Sequence, residues 1–359
     1  MREATPSRRD VEPSRDGAER HRSVSLRDVA TAAGVSHQTV SRVVNGSPRV
    51  KRDTRDRVLR AIEDLGYKPN RLARALAGGL VRSVTVLTSD TTLYGAALAL
   101  RGIEEAARAE DFTVSVSVLD ERARLTPDDV VDRLARPGEP VLVIAFDAAG
   151  ERAWRALPAE FPAAAVVERP QQEHPGGRPE AWLDDRAAAA QATRYLLGLG
   201  HRTVHYLSIP SSTARVGQRA VGWRDALLSA DRFVPELLEG GWSPRSGYLA
   251  ARSVVADPQV TAVLCGNDDL ALGVLRAARE AGRDVPGDLS VMGFDDALYA
   301  AYTHPTLTTV RLDFEGLGRG AFGMLHRLLD PDNAPTLPAW DEPELIVRES
   351  TGPAPHRFL

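Results

Sequence analysis

Between residues 23 and 66, apolar positions recur at helical spacing in three short runs separated by glycine or polar breaks. Ser25-Leu-Arg-Asp28 has the form of a capping box, with Asp28 in the third helical position, and predicts a first helix ending near Ala33. Gly34 supplies a turn and Ser36 caps a second helix. Val29, Ala30, Val35, Val40, Val43 and Val44 are small enough to let two helices cross closely, which leaves His37, Gln38, Ser41 and Arg42 facing away. A third helix over 54–65 brings Val58, Leu59, Ile62 and Leu65 to the same core and stops at Gly66. Residues 70–77, just after Pro69, predict one more helix, too short to be stable alone in water.

From about residue 82 the period changes. Short β-rich runs at 82–88, 112–118, 141–146, 163–167, 203–208, 261–265 and 289–294 alternate with helical runs such as 96–109, 186–199 and 268–281. That alternation predicts βαβ units and parallel sheets, in a series long enough for two lobes. The expected layout is a disordered polar leader (1–22), an all-α head (23–66), a hinge or linker (67–79), a two-lobed α/β body (80–350) and a tail (351–359).

Composition narrows the class. A chain of 359 residues with 43% apolar and 26% charged positions fits a soluble protein of two or three domains. Its one cysteine, Cys265, excludes an internal disulfide framework and any CxxC zinc site. No apolar run approaches the ~20 residues that span a bilayer, so no membrane partner is expected. The N-terminus lacks the apolar core of a secretory signal, which makes the cytoplasm the expected compartment. The net charge of −4 conceals an asymmetry: residues 1–79 carry 17 Lys/Arg against 10 Asp/Glu, and the remainder 28 against 39. A basic head on an acidic body points to a nucleic-acid partner.

The head fits a helix-turn-helix, whose second helix lies in the major groove. Gln38 can read adenine and Arg42 guanine through paired hydrogen bonds, while His37 can donate or accept. An unrelated three-helix cap with a solvated face fits the same pattern. In the linker, Arg71 and Arg74 are placed for phosphates, and Leu72 or Leu76 for a wedge in a minor groove. A tether whose leucines pack on the body is the alternative. In the body, Asn267-Asp268 and Asp295-Asp296 follow strand candidates, where open parallel sheets bind ligands, although Asp268 and Asp296 read equally well as helix caps. Arg219, near the start of a helix, can grip two oxygens at once. No nucleophile–base order or metal spacing is present, and adjacent carboxylates on an extended strand point to opposite faces, so neither enzyme nor cofactor is expected.

The stretches SLRDVATAAGVSHQTVSRVVNG, RDTRDRVLRAIEDLGYKPNRLARALAG, GHRTVHYL, GNDDLALGVLRAARE and DLSVMGFDD resemble the LacI/GalR family of bacterial transcriptional regulators, over about residues 23–350. The resemblance implies a helix-turn-helix head plus a hinge helix that folds on DNA. To these it joins a two-lobe body like the type I periplasmic sugar-binding proteins. It implies a repressor that acts as a homodimer on a double-stranded, pseudo-palindromic operator and is released by a small sugar. By this match His37, Gln38 and Arg42 are base readers and Leu76 is the hinge leucine, with Leu26, Ser41, Asn45, Asn70, Arg71 and Ala73 as further DNA contacts. Arg219, Asn267 and Asp295 match effector-contacting positions, Trp242 and Phe314 match apolar positions against a sugar ring, and Leu93, Gly95, Phe146 and Glu168 complete the set. The loop at Leu93 together with Trp242 is most like the β-galactoside-sensing, lactose-repressor branch. The ending RESTGPAPHRFL has no heptads, which favours a dimer over a tetramer. A transport component with the same cleft, and a regulator needing a corepressor, are the alternative readings.

Overall fold

The structure is a computed structural model and describes residues 25–44, 50–65, 82–120, 139–159, 161–168, 177–210, 217–333, 336–337 and 339–355. The chain forms two units, Met1–Val81 and Arg82–Leu359. The expected leader, Asn45 and the whole hinge segment lie outside the described residues.

The first unit contains α1 (Leu26–Ala33), α2 (His37–Val44) and α3 (Arg52–Asp64). The capping box forms: the Asp28 amide donates to Ser25 Oγ at 3.4 Å, and the Ser25 amide donates to Asp28 Oδ2 at 2.8 Å. Gly34 takes φ +63°, a conformation that costs a side-chain-bearing residue about 1–2 kcal/mol, and so turns the chain between α1 and α2. The Thr39 amide donates to Ser36 Oγ at 3.2 Å, which caps α2 as expected. Val29, Ala30, Ala33, Val40, Val43, Val58 and Ala61 are buried together. Two expectations fail here. The third helix starts at Arg52 rather than Thr54, without a side-chain cap. Leu59 and Leu65 are exposed, at 49% and 37%: the buried stripe of α3 runs through Val58, Ala61 and Ile62 and leaves Leu59 beside it, while Leu65 is the C-cap, past the last helical residue Asp64.

The second unit has two parallel sheets. In the first lobe β1 (Ser83–Thr88), α4 (Tyr94–Ala109), β2 (Thr113–Val118), β3 (Val141–Ala145), α5 (Ala148–Ala156), β4 (Ala163–Val167) and β5 (Glu180–Ala181) give the strand order β2-β1-β3-β4-β5. The chain then passes to a second lobe of α6 (Asp185–Gly198), β6 (His205–Ser208), α7 (Gln218–Ser229), β7 (Leu238–Glu239), α8 (Pro244–Ala256), β8 (Ala262–Cys265), α9 (Asp268–Glu280) and β9 (Ser290–Met292). Its sheet order is β7-β6-β8-β9. Strand β10 (Thr309–Arg311) leads into α10 (Phe314–Leu329), which returns to the first lobe, and β11 (Glu344–Ile346) pairs antiparallel with β10. Sheets buried on both faces read as continuous apolar runs, and β3 and β4 are buried at every position.

Helices α4 and α10 approach so closely that only glycine fits at the contact. A Cβ on Gly102 would lie 2.0 Å from the Glu315 carbonyl oxygen, and one on Gly318 would lie 2.1 Å from that of Ala99. This contact returns Phe314 to the first lobe. The segments joining the lobes are tied to each other: the Trp340 indole donates to the Trp182 carbonyl at 3.1 Å, and the Asp341 amide to Asp313 Oδ2 at 3.1 Å. Among the described residues no helix is long and apolar enough to cross a membrane.

Candidate functional site

In the head, Val40 and Val43 turn α2 toward the core, and that orientation exposes His37, Gln38 and Arg42 on the opposite side, with Ser41 partly covered beside them. A glutamine, a histidine and an arginine within two turns make a solvent-facing row of donors and acceptors on a helix held by a small-residue core. Leu26 sits at the start of α1 and packs partly against that core. Asn45, Asn70, Arg71, Ala73 and Leu76 lie outside the described residues.

In the body, a cavity of about 330 Å³ lies between the lobes, and all nine expected effector residues line it: Leu93, Gly95, Phe146, Glu168, Arg219, Trp242, Asn267, Asp295 and Phe314. They arrive from strand ends. Leu93 and Gly95 follow β1, Phe146 follows β3, Glu168 follows β4, Trp242 follows β7, Asn267 follows β8 and Asp295 follows β9. Gly95 is a glycine because a Cβ there would lie 2.9 Å from the ring of Phe314. Phe314 in turn packs edge-on against Tyr94 and Phe146, with ring centroids 6.4 and 5.7 Å away.

Arg219 is the buried cation of the cavity. Its Nε lies 3.3 Å from Asp185 Oδ2 and its Nη1 lies 3.2 Å from Asp295 Oδ1. Nη1 also donates to the Gly266 carbonyl, and the guanidinium lies over the Phe294 ring at 4.4 Å. Two carboxylates share one guanidinium out of water. Burial therefore pushes Asp185 up to about 6 and Asp295 up to about 7, against the downward pull of Arg219 on each. Both carboxyls thus stand above the usual carboxylate range, beside a guanidinium that has N–H donors of its own.

Asp295 and Asp296 do point to different surroundings, but not as neighbours on an extended strand. β9 ends at Met292, and the two residues take φ +108° and +54°. Asp295 turns to Arg219, while Asp296 turns to Arg348 at 2.6 Å and Arg311 at 2.9 Å. The cap expected of Asp268 belongs instead to Asn267, whose Oδ1 accepts from the Leu270 amide at 2.8 Å and whose Nδ2 donates to the Trp242 carbonyl at 3.2 Å. Asp268 braces the turn beside Asp295, accepting from the Ala297 amide at 2.7 Å and Thr309 Oγ1 at 2.6 Å, and burial holds it well above the usual carboxylate range. Asp296 caps no helix either.

Among the described residues two hydrogen bonds cross between the lobes beside the cavity: the Gln218 amide donates to Glu168, and the Tyr94 hydroxyl to the Asp296 carbonyl at 3.3 Å. Burial, reinforced by the nearby aspartates, pushes Tyr94 up to about 12, so it stays a donor. Sequence reasoning missed Tyr94, Asp185, Glu239 and Asp269 among the lining residues. For Asp185 the signal was available: Asp184-Asp185 follows a strand at a lobe crossing, yet reads as a helix cap, a role that Asp184 fills with its bond to the Ala187 amide.

A head with an exposed row of hydrogen-bonding groups, joined to two parallel-sheet lobes around a polar and aromatic cavity, defines a ligand-binding regulator of the helix-turn-helix class. Family descriptions agree in both units: residues 25–70 match "Bacterial regulatory proteins, lacI family" and residues 193–351 match "Periplasmic binding protein-like domain". The chain is 34% identical over 343 residues to the HTH-type transcriptional regulator MalR of Streptomyces coelicolor, which covers 92% of this chain and 97% of that one. The lac repressor dimer bound to operator and an anti-inducer matches with a TM-score of 0.74 at 30% identity, over 92% of this chain and all of that one. A CelR–cellobiose complex matches with a TM-score of 0.64 at 29% identity, over 91% and 99%. The chain belongs to the LacI family of DNA-binding transcriptional regulators, a family of regulators rather than enzymes. These relatives do not single out the β-galactoside branch: the regulator MalR matches as closely as the lac repressor.

Proposed function

We propose that this regulator is a cytoplasmic repressor of sugar-utilisation genes, released from a pseudo-palindromic operator when a small sugar enters the cavity. As a homodimer it sets two α2 helices in successive major grooves, where His37, Gln38, Ser41 and Arg42 read bases. Leu26, Asn45, Asn70, Arg71 and Ala73 position the head and hinge on the DNA, and Leu76 enters the minor groove.

The observation that carries the effector half is the cavity itself: a buried guanidinium between two carboxylates, faced by Phe314, Phe146 and Trp242. Aromatic faces cover the C–H faces of a sugar, while Arg219, Asp295 and Glu168 take its hydroxyls. Leu93, Gly95 and Asn267 complete the wall. A β-galactoside or related glycoside is one candidate effector, supported by Trp242 and by the likeness to the lac repressor. The ligand shifts the equilibrium between lobe arrangements by its differential affinity for them, a coupling of about 1–3 kcal/mol that reaches the hinge.

A thermal-shift screen of mono- and disaccharides tests this reading. A ligand at 100 times its Kd stabilises the folded protein by about 2.7 kcal/mol, an easily read shift for the sugar that fits. No shift with any saccharide would sink the effector assignment.

A further inference from the structure

We infer that the effector carries a protonated amine and that Asp185 is the residue that selects for it; this rests on the inter-lobe cavity being the effector site, and not on the rest of the effector being a sugar. The first argument is charge. Among the described residues that line the cavity, five are carboxylates (Glu168, Asp185, Glu239, Asp269 and Asp295) and one is a cation, Arg219. Arg219 pairs with two of the five, Asp185 and Asp295. Asp269 meets a neutral donor, the Tyr299 hydroxyl, at 2.7 Å, and Glu239 is exposed to solvent. A helix N-terminus can offset an acid, but the two that carry these aspartates are already capped. Asp184 caps α6 through the Ala187 amide, and Asn267 caps α9 through the Leu270 amide.

The second argument is a buried carboxylate without its full complement of partners. Asp185 is 9% exposed, and its Oδ2 stands 3.3 Å from Arg219 Nε. Its Oδ1 has no hydrogen-bond partner, and neither has Arg219 Nε. Buried polar atoms are almost always paired, so an unpaired oxygen on a residue that lines a ligand cavity marks a contact left for the ligand. An ammonium brings three donors and a full counter-charge, whereas a hydroxyl brings one donor and no charge.

The third argument is the field and the walls. Tyr94, also in the lining, is pushed up to about 12, first by burial and then by Asp295, Asp296, Asp268 and Glu315, all of them acids. The rings of Phe146, Trp242 and Phe314 stand in the same lining. Aromatic rings attract a cation, and most strongly when it is out of water. A bare metal ion does not suit the place: among the described residues no three His, Cys, Asp or Glu side chains converge to hold one. A cation that brings its own N–H donors does suit it.

The test is calorimetric titration of the full chain at about pH 7, where an amine of ordinary basicity is protonated. The probes are matched trios, glucose with glucosamine and N-acetylglucosamine, and galactose with galactosamine and N-acetylgalactosamine, together with the aliphatic diamine putrescine. N-acetylation keeps an N–H donor and removes the charge. One amino sugar is expected to bind at least about tenfold tighter than both of its neutral counterparts. Asp185→Asn should bring that preference to within about twofold, with circular dichroism and melting to show that the variant folds. Glu239→Gln, at a solvated carboxylate, should reduce it less. A structural disturbance alone would weaken charged and neutral sugars alike and leave their ratio standing. Neutral sugars that bind as tightly as the amines, or a preference that survives in Asp185→Asn, would overturn the inference and leave sugar sensing intact. Binding of putrescine with no sugar bound would uphold the amine and overturn the sugar reading. Failure of every probe to bind would overturn both.

Discussion

Replacing Asp185 by asparagine should stabilise the ligand-free body, and by more as the pH rises. In the native chain its carboxylate is buried beside Arg219, which also pairs with Asp295, so one guanidinium serves two acids. Burial raises Asp185 from 3.8 to about 6. Between about pH 4 and 6 the folded state therefore holds a proton that the unfolded chain has released. The folded state loses stability as the pH climbs through that window, and the loss levels off above pH 6. A shift of about two units corresponds to about 3 kcal/mol at the plateau, with about 1.3 kcal/mol of it accruing between pH 5 and 7. Asparagine keeps the shape and never ionises, so it lacks this loss, and Arg219 keeps Asp295 as its partner. Urea unfolding read by tryptophan fluorescence suits the measurement, because all five tryptophans (154, 182, 223, 242 and 340) lie in the body. The variant's advantage over the native chain should grow by about 1 kcal/mol from pH 5 to pH 7. Parallel stabilities across that range, or a deficit that deepens with pH, would mean that attraction to Arg219 outweighs desolvation and would refute the reasoning.

Three further outcomes follow from the same geometry. Gln38→Ala should cost about 1–3 kcal/mol of operator binding in an anisotropy titration and relax the preference at one base position, while the circular dichroism stays unchanged because the side chain is exposed. Gly102→Ala drives a Cβ to 2.0 Å from a backbone oxygen and should lower the body's unfolding free energy by about 1–3 kcal/mol or more, measured in urea. His201 is buried, with Nδ1 2.9 Å from Thr261 Oγ1 and Nε2 3.0 Å from Ser290 Oγ, and burial lowers its pKa below 6.5. The unfolded chain therefore binds the proton first, and stability is lost as the pH falls below about 6.5. His201→Gln should weaken that acid-side slope in the same urea assay.

Much of this architecture is legible in the sequence because burial on both faces of a parallel sheet leaves a long mark. The run VLVIAF reads as a strand without help, and 163–167 matches β4 residue for residue. β5 and β7 leave no such mark, since a two-residue strand has no period to detect. The head's core was partly misread for a related reason. Leu59 falls next to the Val58–Ile62 stripe on a helical wheel, where only the positions of α1 and α2 decide which side is covered; Leu65 shares that stripe but stands at the C-cap, where the helix has ended. The cavity was legible where a side chain follows an apolar run, as with Phe146 after VLVIA and Asp295 after LSVMGF. For Asp185 the carboxylate pair after a strand was visible, but its role was not, because its partner lies 34 positions away and is delivered by folding. The left-handed turn at Asp295-Asp296 is likewise set by Asp268 and Thr309, which no local pattern reveals.

The central claim is that occupancy of the cavity is transmitted to the DNA-binding head. It is tested by anisotropy titration of the full chain against palindromic DNA from its own promoter region, at fixed salt, with and without a saturating concentration of the saccharide that most raises the melting temperature. Fixed salt matters because phosphate contacts alone make affinity fall steeply with ionic strength. The account predicts that the sugar weakens operator binding about 5- to 150-fold, the range of a 1–3 kcal/mol coupling. Operator affinity that stays the same when the cavity is saturated would contradict it.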